Sequence, residues 1–176
     1  MGVTCMVSRD NGRSFTRRGT VARDPEGEDA MTEPMLAETS IGELICVIRR
    51  ADQRQKPMCL TFSRDRGRTW EQPGTFQSFG VFPCILRLDC GAMVVSFGRP
   101  GVHLTFSTTG TGREWSDPIS VLPGHPDRLS DQTDGYTSMV RLADNELLLG
   151  YTDFDHVDLE GRKRKAVLVR RVTVEG

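Results

Sequence analysis

The feature of this sequence that most constrains its fold is a short motif that occurs twice intact and once in degraded form. Residues 8–15 and 63–70 share the pattern Ser-x-Asp-x-Gly-x-Ser/Thr-aromatic, and residues 107–115 keep the serine, a glycine and the tryptophan without the aspartate. The second and third copies start 44 residues apart, whereas the first and second start 55 apart. Polar residues around 24–29 predict an insertion that accounts for the longer spacing. A repeat of this period indicates an architecture of similar stacked units.

A second repeat lies between the copies of this motif. Its three copies, 33–42, 82–91 and 136–145, each end in a Gly or Asn nine positions after the first residue. Both residue types tolerate the positive φ that many tight hairpin turns require. An apolar run follows each turn, at Leu44–Ile48, Met93–Phe97 and Leu147–Tyr151. Each copy therefore predicts two strands joined by a hairpin.

Further apolar runs complete a unit of four strands. One run precedes the motif, at Met58–Phe62 and Val102–Phe106, and another follows it, at Thr75–Gln77 and Ile119–Leu122. Four short antiparallel strands in roughly 45 residues are typical of a propeller blade. We therefore predict an all-β chain of the β-propeller class, with about three four-stranded antiparallel blades, which is half of a six-bladed propeller.

We predict one partial propeller domain over residues 1–176. It divides into a half blade that carries the first motif (1–30), two blades (31–78 and 79–123) and an incomplete last blade (124–176). Within each motif, Asp and Ser side chains can accept hydrogen bonds from the amides of the turn. Asp10 and Asp65 are therefore expected to hold turns rather than to catalyse a reaction. The aromatic residues Phe15, Trp70 and Trp115 are expected to form local core.

The motif resembles the Asp-box, or BNR repeat, of the sialidase (neuraminidase) superfamily, and the resemblance covers the whole chain. The order of residues on the predicted inner strands resembles the C-terminal half of a sialidase. Glu33 precedes Arg49 by sixteen positions, Arg99 precedes the third motif by eight, and Tyr136 opens a strand in the context Asp-Gly-Tyr-Thr-Ser-Met. The resemblance implies an exo-α-sialidase type of glycoside hydrolase, with an acidic sugar as the ligand.

The same resemblance implies roles for individual residues. Tyr136 would be the nucleophile, Glu33 the base that accepts its proton, and Arg99 part of a clamp on the substrate carboxylate. Arg50 is equivalent to Arg99 in the repeat, whereas Arg49 fits the spacing of the family, so both Arg49 and Arg50 remain candidates. Since successive side chains of a strand alternate between its faces, only one of the two can face the axis of the propeller.

The chemistry explains why these residue types would be needed. An arginine guanidinium matches a carboxylate bidentately. Sialidases are the glycosidases that use a tyrosine nucleophile. A neutral phenol avoids repulsion by the substrate carboxylate, and a neighbouring Glu can accept its proton as it attacks.

The resemblance also predicts what the chain lacks. The first arginine and the general-acid aspartate of the family lie in N-terminal blades, so we expect this chain to be incomplete or inactive by itself. A second copy could close the propeller as a homodimer. The alternatives are a non-catalytic glycan-binding or scaffold propeller, and a propeller enzyme that acts on another sugar.

Composition excludes several other functions. The net charge of −1 and the lack of a long basic block argue against nucleic acid, and no apolar stretch is long enough to span a membrane. The five cysteines match no metal or redox spacing, and no signal peptide precedes them; both features favour a cytoplasmic compartment, which is otherwise undetermined. We predict no cofactor and no metal site. The acidic loop of Asp127, Asp131 and Asp134 is expected to be a solvated loop.

Overall fold

The computed structural model describes residues 2–24, 26–27, 30–51, 56–124 and 135–175. Within these ranges the chain forms thirteen β-strands and no helix, so no helix long and apolar enough to cross a membrane is found there. The strands belong to two compact units, residues 1–79 and 80–176, which are described separately. The all-β class predicted from the repeats is confirmed.

The first unit contains one sheet of two strands and one of four. Strands β1 (Gly2–Val7) and β2 (Thr16–Arg23) pair antiparallel on either side of the first Ser-x-Asp motif. The second sheet has the order β3-β4-β5-β6. Its strands are Ala30–Glu38, Leu44–Ala51, Cys59–Ser63 and Gly74–Thr75.

The second unit contains one complete four-stranded sheet and one of three strands. The first has the order β7-β8-β9-β10, with strands at Val81–Arg87, Met93–Gly98, Val102–Ser107 and Ile119–Leu122. The second has the order β11-β12-β13, with strands at Thr137–Ala143, Glu146–Val157 and Lys163–Thr173. All neighbours in both sheets run antiparallel, as consecutive strands joined by hairpins must.

The predicted hairpins are present in all three positions, but only two use the expected backbone conformation. Gly42 and Gly91 have φ values of 80° and 96° in the turns of β3-β4 and β7-β8. Asn145 is not among the described residues with positive φ. Its side-chain amide instead donates to the backbone carbonyl of Val174 at 3.1 Å, and the backbone carbonyl of Asn145 accepts the backbone amide of Val174 at 2.8 Å. Contact with the end of the third strand, rather than a left-handed turn, therefore explains this asparagine.

Each Ser-x-Asp turn is held by its own side chains. The serine oxygen accepts the amide of the turn glycine, at 2.8 Å for Ser8 and Gly12 and at 2.8 Å for Ser63 and Gly67. In the second copy, Asp65 accepts the amide of Thr69 at 2.8 Å and its hydroxyl at 2.7 Å. The expected structural role of the aspartates is confirmed by these bonds. The pKa of Asp65 falls to about 2, chiefly because of the hydrogen bond from the Thr69 amide.

The aromatic residues that end these turns differ from the expectation at one position. The indole N–H of Trp70 donates to the carbonyl of Gly67 at 3.2 Å, and that of Trp115 donates to Gly112 at 2.7 Å. Both rings are partly buried. Phe15, by contrast, is 61% exposed, so the prediction of local core was wrong there. The phenylalanine side chain has no N–H group that could donate to a carbonyl of the turn. In addition, the motif of Phe15 lies between the two strands of a sheet that has only these two.

Each unit has its own apolar core. In the first unit, β1-β2 packs on β3-β6 through a cluster whose buried members are Val21, Ala22, Cys46, Ile48 and Cys59. In the second unit, a cluster joins the two sheets, and its buried members are Leu88, Val94, Val102, Leu104, Leu147, Leu149 and Tyr151. Fully burying an apolar side chain contributes about 1.5–3 kcal/mol, so these clusters fix how the sheets of one unit pack.

All five cysteines are free thiols. Cys46 and Cys59 are buried in the first core, and burial raises the pKa of the Cys46 thiol to about 12. Burial also raises the pKa of Cys84. A thiol is a poor nucleophile when its thiolate is disfavoured, so these cysteines act as small core residues.

The Asp65 turn predicts a specific acid sensitivity. An unfolded aspartate titrates near pH 4, whereas the folded pKa of Asp65 is about 2. A lowered pKa contributes stability that is present above the unfolded pKa and is lost as the pH falls through the folded pKa. The melting temperature of Asp65→Asn should therefore lie below that of the wild type by a constant amount from pH 7 to about pH 4. The gap should shrink between about pH 4 and pH 2.

Calorimetric or circular-dichroism melts across this pH range check the prediction. Asp117→Asn, an exposed carboxylate that follows the third motif, is the matched control and should melt like the wild type at every pH. A gap for Asp65→Asn that stays constant down to pH 2 would contradict the proposed linkage.

Candidate functional site

Two of the three equivalent repeat positions share an unusual backbone. Glu33 has a φ of 49° and Phe82 a φ of 51°, and each precedes a proline. The pairing shifts register at the same place, between Thr32 and Met35 in β3 and between Val81 and Cys84 in β7. Proline has no N–H to give to the ladder, which favours a bulge at this point. Since bulges re-aim side chains and occur beside functional sites, both residues are candidates for a site.

The position of Glu33 differs slightly from the expectation. It lies inside β3, three residues after the strand begins at Ala30, rather than at its start. The strand extends because Ala30, Met31 and Thr32 continue to pair with the end of β4 beyond the bulge.

In the first unit, Glu33 forms an ion pair with Arg49. The distance from Nη1 of Arg49 to Oε1 of Glu33 is 2.7 Å, and the side chains are 17% and 24% exposed. Partial burial strengthens such a contact relative to a pair on the open surface. The pair presents a carboxylate and a guanidinium side by side on the bulged end of one sheet.

Arg50 lies elsewhere in the same unit. It pairs with Met31, whereas Arg49 pairs with Thr32, so the two arginines project from opposite faces of the strand. Arg50 lines a cavity of about 160 Å³ together with Met31, Cys59 and residues 72–75. Of the two arginine candidates, Arg49 is therefore the one that contacts Glu33.

In the second unit, glycines bring the backbone before Tyr136 against the turn that carries Arg99. A Cβ atom on Gly98 would lie 2.0 Å from the carbonyl oxygen of Gly135 and 2.3 Å from its Cα. A Cβ on Gly135, whose φ is 87°, would lie 2.7 Å from the amide nitrogen of Arg99. No other residue fits either position without displacing backbone. The contact therefore fixes where Tyr136 stands relative to Arg99.

Tyr136, Arg99 and Phe82 form one cluster. The Cζ atom of Arg99 lies 5.9 Å from the centroid of the Tyr136 ring, within the range of a cation–π contact. The rings of Phe82 and Tyr136 meet edge to face with centroids 4.6 Å apart and an interplanar angle of 68°. Phe82 is 40% exposed. The cluster thus joins an exposed aromatic ring, a phenol and a permanent cation.

The guanidinium of Arg99 has unused hydrogen-bonding capacity. Its Nε and Nη2 atoms are buried and have no hydrogen-bond partner among the described residues. Arginine stays charged at all ordinary pH values, and a buried charged donor without an acceptor is costly. A carboxylate or another anionic oxygen group that displaced the groups covering these atoms could accept both bonds, because a guanidinium presents its N–H groups as a fork.

The backbone of Tyr136 is held by Thr152. The Tyr136 amide donates to the hydroxyl of Thr152 at 3.3 Å, and the Thr152 amide donates to the carbonyl of Tyr136 at 3.3 Å. The backbone at Tyr136 is thereby tied down directly before β11 begins at Thr137.

The candidates from the sequence thus fall into two groups. The structure brings Arg99 and Tyr136 together in the second unit, and Glu33 and Arg49 together in the first. The pairing of Glu33 with Tyr136 would join residues of different units, and it stays a prediction. Phe82 is a candidate that the motifs missed, although its place in the repeat, equivalent to Glu33 and Tyr136, was a signal for it. The acidic residues Asp127, Asp131 and Asp134 lie outside the described residues.

Comparison with known proteins identifies the fold but not a family. No protein-family model and no curated protein matches the chain. Among solved structures, a protein of unknown function from Dyadobacter fermentans superposes with a TM-score of 0.72 at 20% identity, over 97% of this chain and 45% of that one.

Two of the similar structures are enzymes that act on sugars. The NanB sialidase of Streptococcus pneumoniae, as its K499G mutant, superposes with a TM-score of 0.65 at 17% identity, over 98% of this chain and 27% of that one. The α-L-arabinanase of Penicillium chrysogenum, complexed with arabinobiose, gives a TM-score of 0.64 at 15% identity, over 96% of this chain and 54% of that one. The chain has the all-β fold of propeller glycosidases. It spans about half the length, or less, of these solved structures.

The glycine contact predicts that Gly98→Ala is strongly destabilising. The added Cβ would overlap the backbone of Gly135, which no side-chain rotation can relieve. Overpacking of this kind costs about 2 kcal/mol or more in the free energy of unfolding. Gly74→Ala is the control, since a Cβ there meets no atom within 4 Å. Urea unfolding should show a large loss for the first variant and about 0.5 kcal/mol or less for the second; equal losses would contradict the close contact.

Proposed function

We propose that this chain is the ligand-binding part of a sialidase-like glycoside hydrolase, in which Arg99 pairs with the carboxylate of a sialic-acid-like sugar. The observation that carries the proposal is the buried Nε and Nη2 of Arg99, which lack partners among the described residues and lie beside Tyr136. The sugar carboxylate would displace the groups that cover these atoms and accept their hydrogen bonds. The fold shared with a sialidase supports it. The exposed ring of Phe82 adds an apolar surface on which a sugar can pack.

Tyr136 would act as the nucleophile. Its phenol oxygen would attack the anomeric carbon as the glycosidic bond breaks, and Glu33 would accept the phenol proton. Arg49, which is bonded to Glu33, would keep that carboxylate oriented. The leaving oxygen also needs a proton, which in the superfamily that the sequence resembles comes from an aspartate of the N-terminal blades. The chain alone is therefore expected to bind the sugar better than it hydrolyses it.

Two alternatives make different predictions. A glycan-binding module without catalysis would bind the same ligand and show no turnover in any context. A propeller enzyme for another sugar is favoured by the fold shared with an arabinanase, and it would bind a neutral ligand such as arabinobiose instead.

Binding and turnover separate these possibilities. Calorimetric titration with an α-methyl sialoside should show that Arg99→Gln weakens binding roughly tenfold or more, since a hydrogen bond to a charged group is worth about 1.5–3 kcal/mol. Arg87→Gln, an exposed arginine at the far end of β7, is the matched control and should bind like the wild type. Unchanged affinity of Arg99→Gln would refute the carboxylate contact, and binding of arabinobiose in place of the sialoside would favour the other sugar.

Tyr136→Phe tests the nucleophile separately. The substitution keeps the ring against Phe82 and Arg99 and deletes the phenol oxygen. A fluorogenic sialoside assay should then show loss of any turnover while calorimetry shows retained binding. Turnover that survives Tyr136→Phe would rule out this mechanism.

Self-association remains part of the proposal. Val140, Val167 and Val169 are 56%, 75% and 62% exposed and lie on one face of the β11-β12-β13 sheet, which offers an apolar surface to a second copy. Sedimentation velocity at micromolar concentration should show a dimer that Val167→Lys/Val169→Lys dissociates. A wild-type monomer under these conditions would contradict the homodimer.

A further inference from the structure

A short chain of buried hydrogen bonds lies next to the Tyr136 cluster. The hydroxyl of Ser96, in β8, donates to the hydroxyl oxygen of Thr137 at 2.8 Å. The Thr137 hydroxyl donates in turn to the carbonyl oxygen of Phe82 at 3.3 Å. Ser96 is 0% exposed and Thr137 is 6% exposed. The two hydroxyls therefore form hydrogen bonds to each other and to the backbone rather than to solvent.

These bonds join the three segments that build the cluster. Ser96 belongs to the β7-β10 sheet, Thr137 begins the β11-β13 sheet, and Phe82 lies at the bulge of β7. Thr137 directly follows Tyr136, so its anchored side chain limits how far Tyr136 can move. Phe82 is contacted twice, at its carbonyl by Thr137 and at its ring by Tyr136.

Stability alone does not explain hydroxyls at these positions. The residues next to Ser96 in β8 are apolar, and Val94, Val95 and Phe97 are all 0% exposed. A buried hydroxyl must be bonded to offset its desolvation, so alanine and valine would serve a purely structural contact at least as well. Hydrogen bonds are directional and apolar contacts are not, so the bonded pair defines one relative position of the two sheets.

We propose that Ser96 and Thr137 are positioning residues that hold Tyr136 against Phe82 and Arg99. Their consequence for sugar binding rests on the proposed function, but the position of the Tyr136 ring is measurable without any ligand.

The chain's composition makes that measurement selective. It has only two tyrosines, so an aromatic NMR spectrum of tyrosine-labelled protein contains signals from Tyr136 and Tyr151 alone. Tyr136→Phe assigns them. The edge-to-face ring of Phe82, 4.6 Å away, should change the chemical shifts of the Tyr136 ring protons by its ring current. The shifts in Phe82→Leu give the reference values without this ring-current shift.

Thr137→Val keeps the shape of the side chain and removes its hydroxyl. We expect this variant to lose most of the ring-current shift of the Tyr136 protons, whereas Thr137→Ser, which keeps the hydroxyl, should retain it. Tyr151 pairs with Thr137 across β11 and β12, so its signals can shift slightly, but they should stay dispersed as in the wild type and so report that the sheets remain folded. A folded Thr137→Val protein in which the Tyr136 protons keep the wild-type ring-current shift would overturn the proposal.

A double variant keeps the test decisive if the single one does not fold. Thr137→Val leaves the buried Ser96 hydroxyl without its acceptor, which by itself is destabilising. Ser96→Ala/Thr137→Val removes both hydroxyls and leaves no orphaned donor. It should fold and still lose the ring-current shift of the Tyr136 protons. A ring-current shift that this variant retains would equally overturn the positioning role.

Sugar titration then distinguishes this proposal from the one on which it rests. With the α-methyl sialoside, Thr137→Val should bind several-fold more weakly and Thr137→Ser like the wild type. A Thr137→Val protein that binds like the wild type would contradict the positioning role in binding. Wild-type protein that binds no sialoside would refute the proposed function. The ring-current shift of the Tyr136 protons would still decide whether Ser96 and Thr137 position Tyr136.

Discussion

The close backbone contact between Gly98 and Gly135 is the constraint on which the candidate site depends. The approach leaves no room for a side chain at either position, so it holds the turn after β8 against the residue before Tyr136. Arg99 and Tyr136 follow these glycines directly, and their side chains meet as a consequence. The hydrophobic clusters pack the sheets, but this contact decides which side chains they present together.

Equivalent positions of the repeat have taken different roles. The bulge that carries Glu33 and the bulge that carries Phe82 have nearly the same backbone, with φ values of 49° and 51°. In the first unit the arginine beside the bulge, Arg49, is neutralised by Glu33 at 2.7 Å. In the second unit an aromatic ring replaces the carboxylate, and Arg99, whose equivalent in the repeat is Arg50 rather than Arg49, keeps donors without partners among the described residues. Similar bulges thus lie beside one satisfied ion pair in the first unit and beside one guanidinium with unpartnered donors in the second.

The sequence allowed the sheets to be predicted, because hairpin glycines such as Gly42 and the Ser-x-Asp turns depend on local chemistry. It did not predict features set by tertiary contacts. Asn145 bonds the end of β13 instead of adopting a left-handed turn, and Phe15 is exposed because its sheet has only two strands. The choice between Arg49 and Arg50 depended on strand register, which spacing alone leaves open. The Glu33–Tyr136 pair, inferred from resemblance, remains a prediction.

The claim that Arg99 receives an acidic sugar is tested most directly at its own side chain. The Nε–H signal of Arg99, assigned with Arg99→Lys in a ¹⁵N-arginine spectrum, can be followed during titration with an α-methyl sialoside and with the methyl ester of the same sugar. If Arg99 binds the carboxylate, this signal should shift saturably with the acid and change little with the uncharged ester. An Arg99 signal that ignores the acid, or that responds equally to the ester, would contradict it.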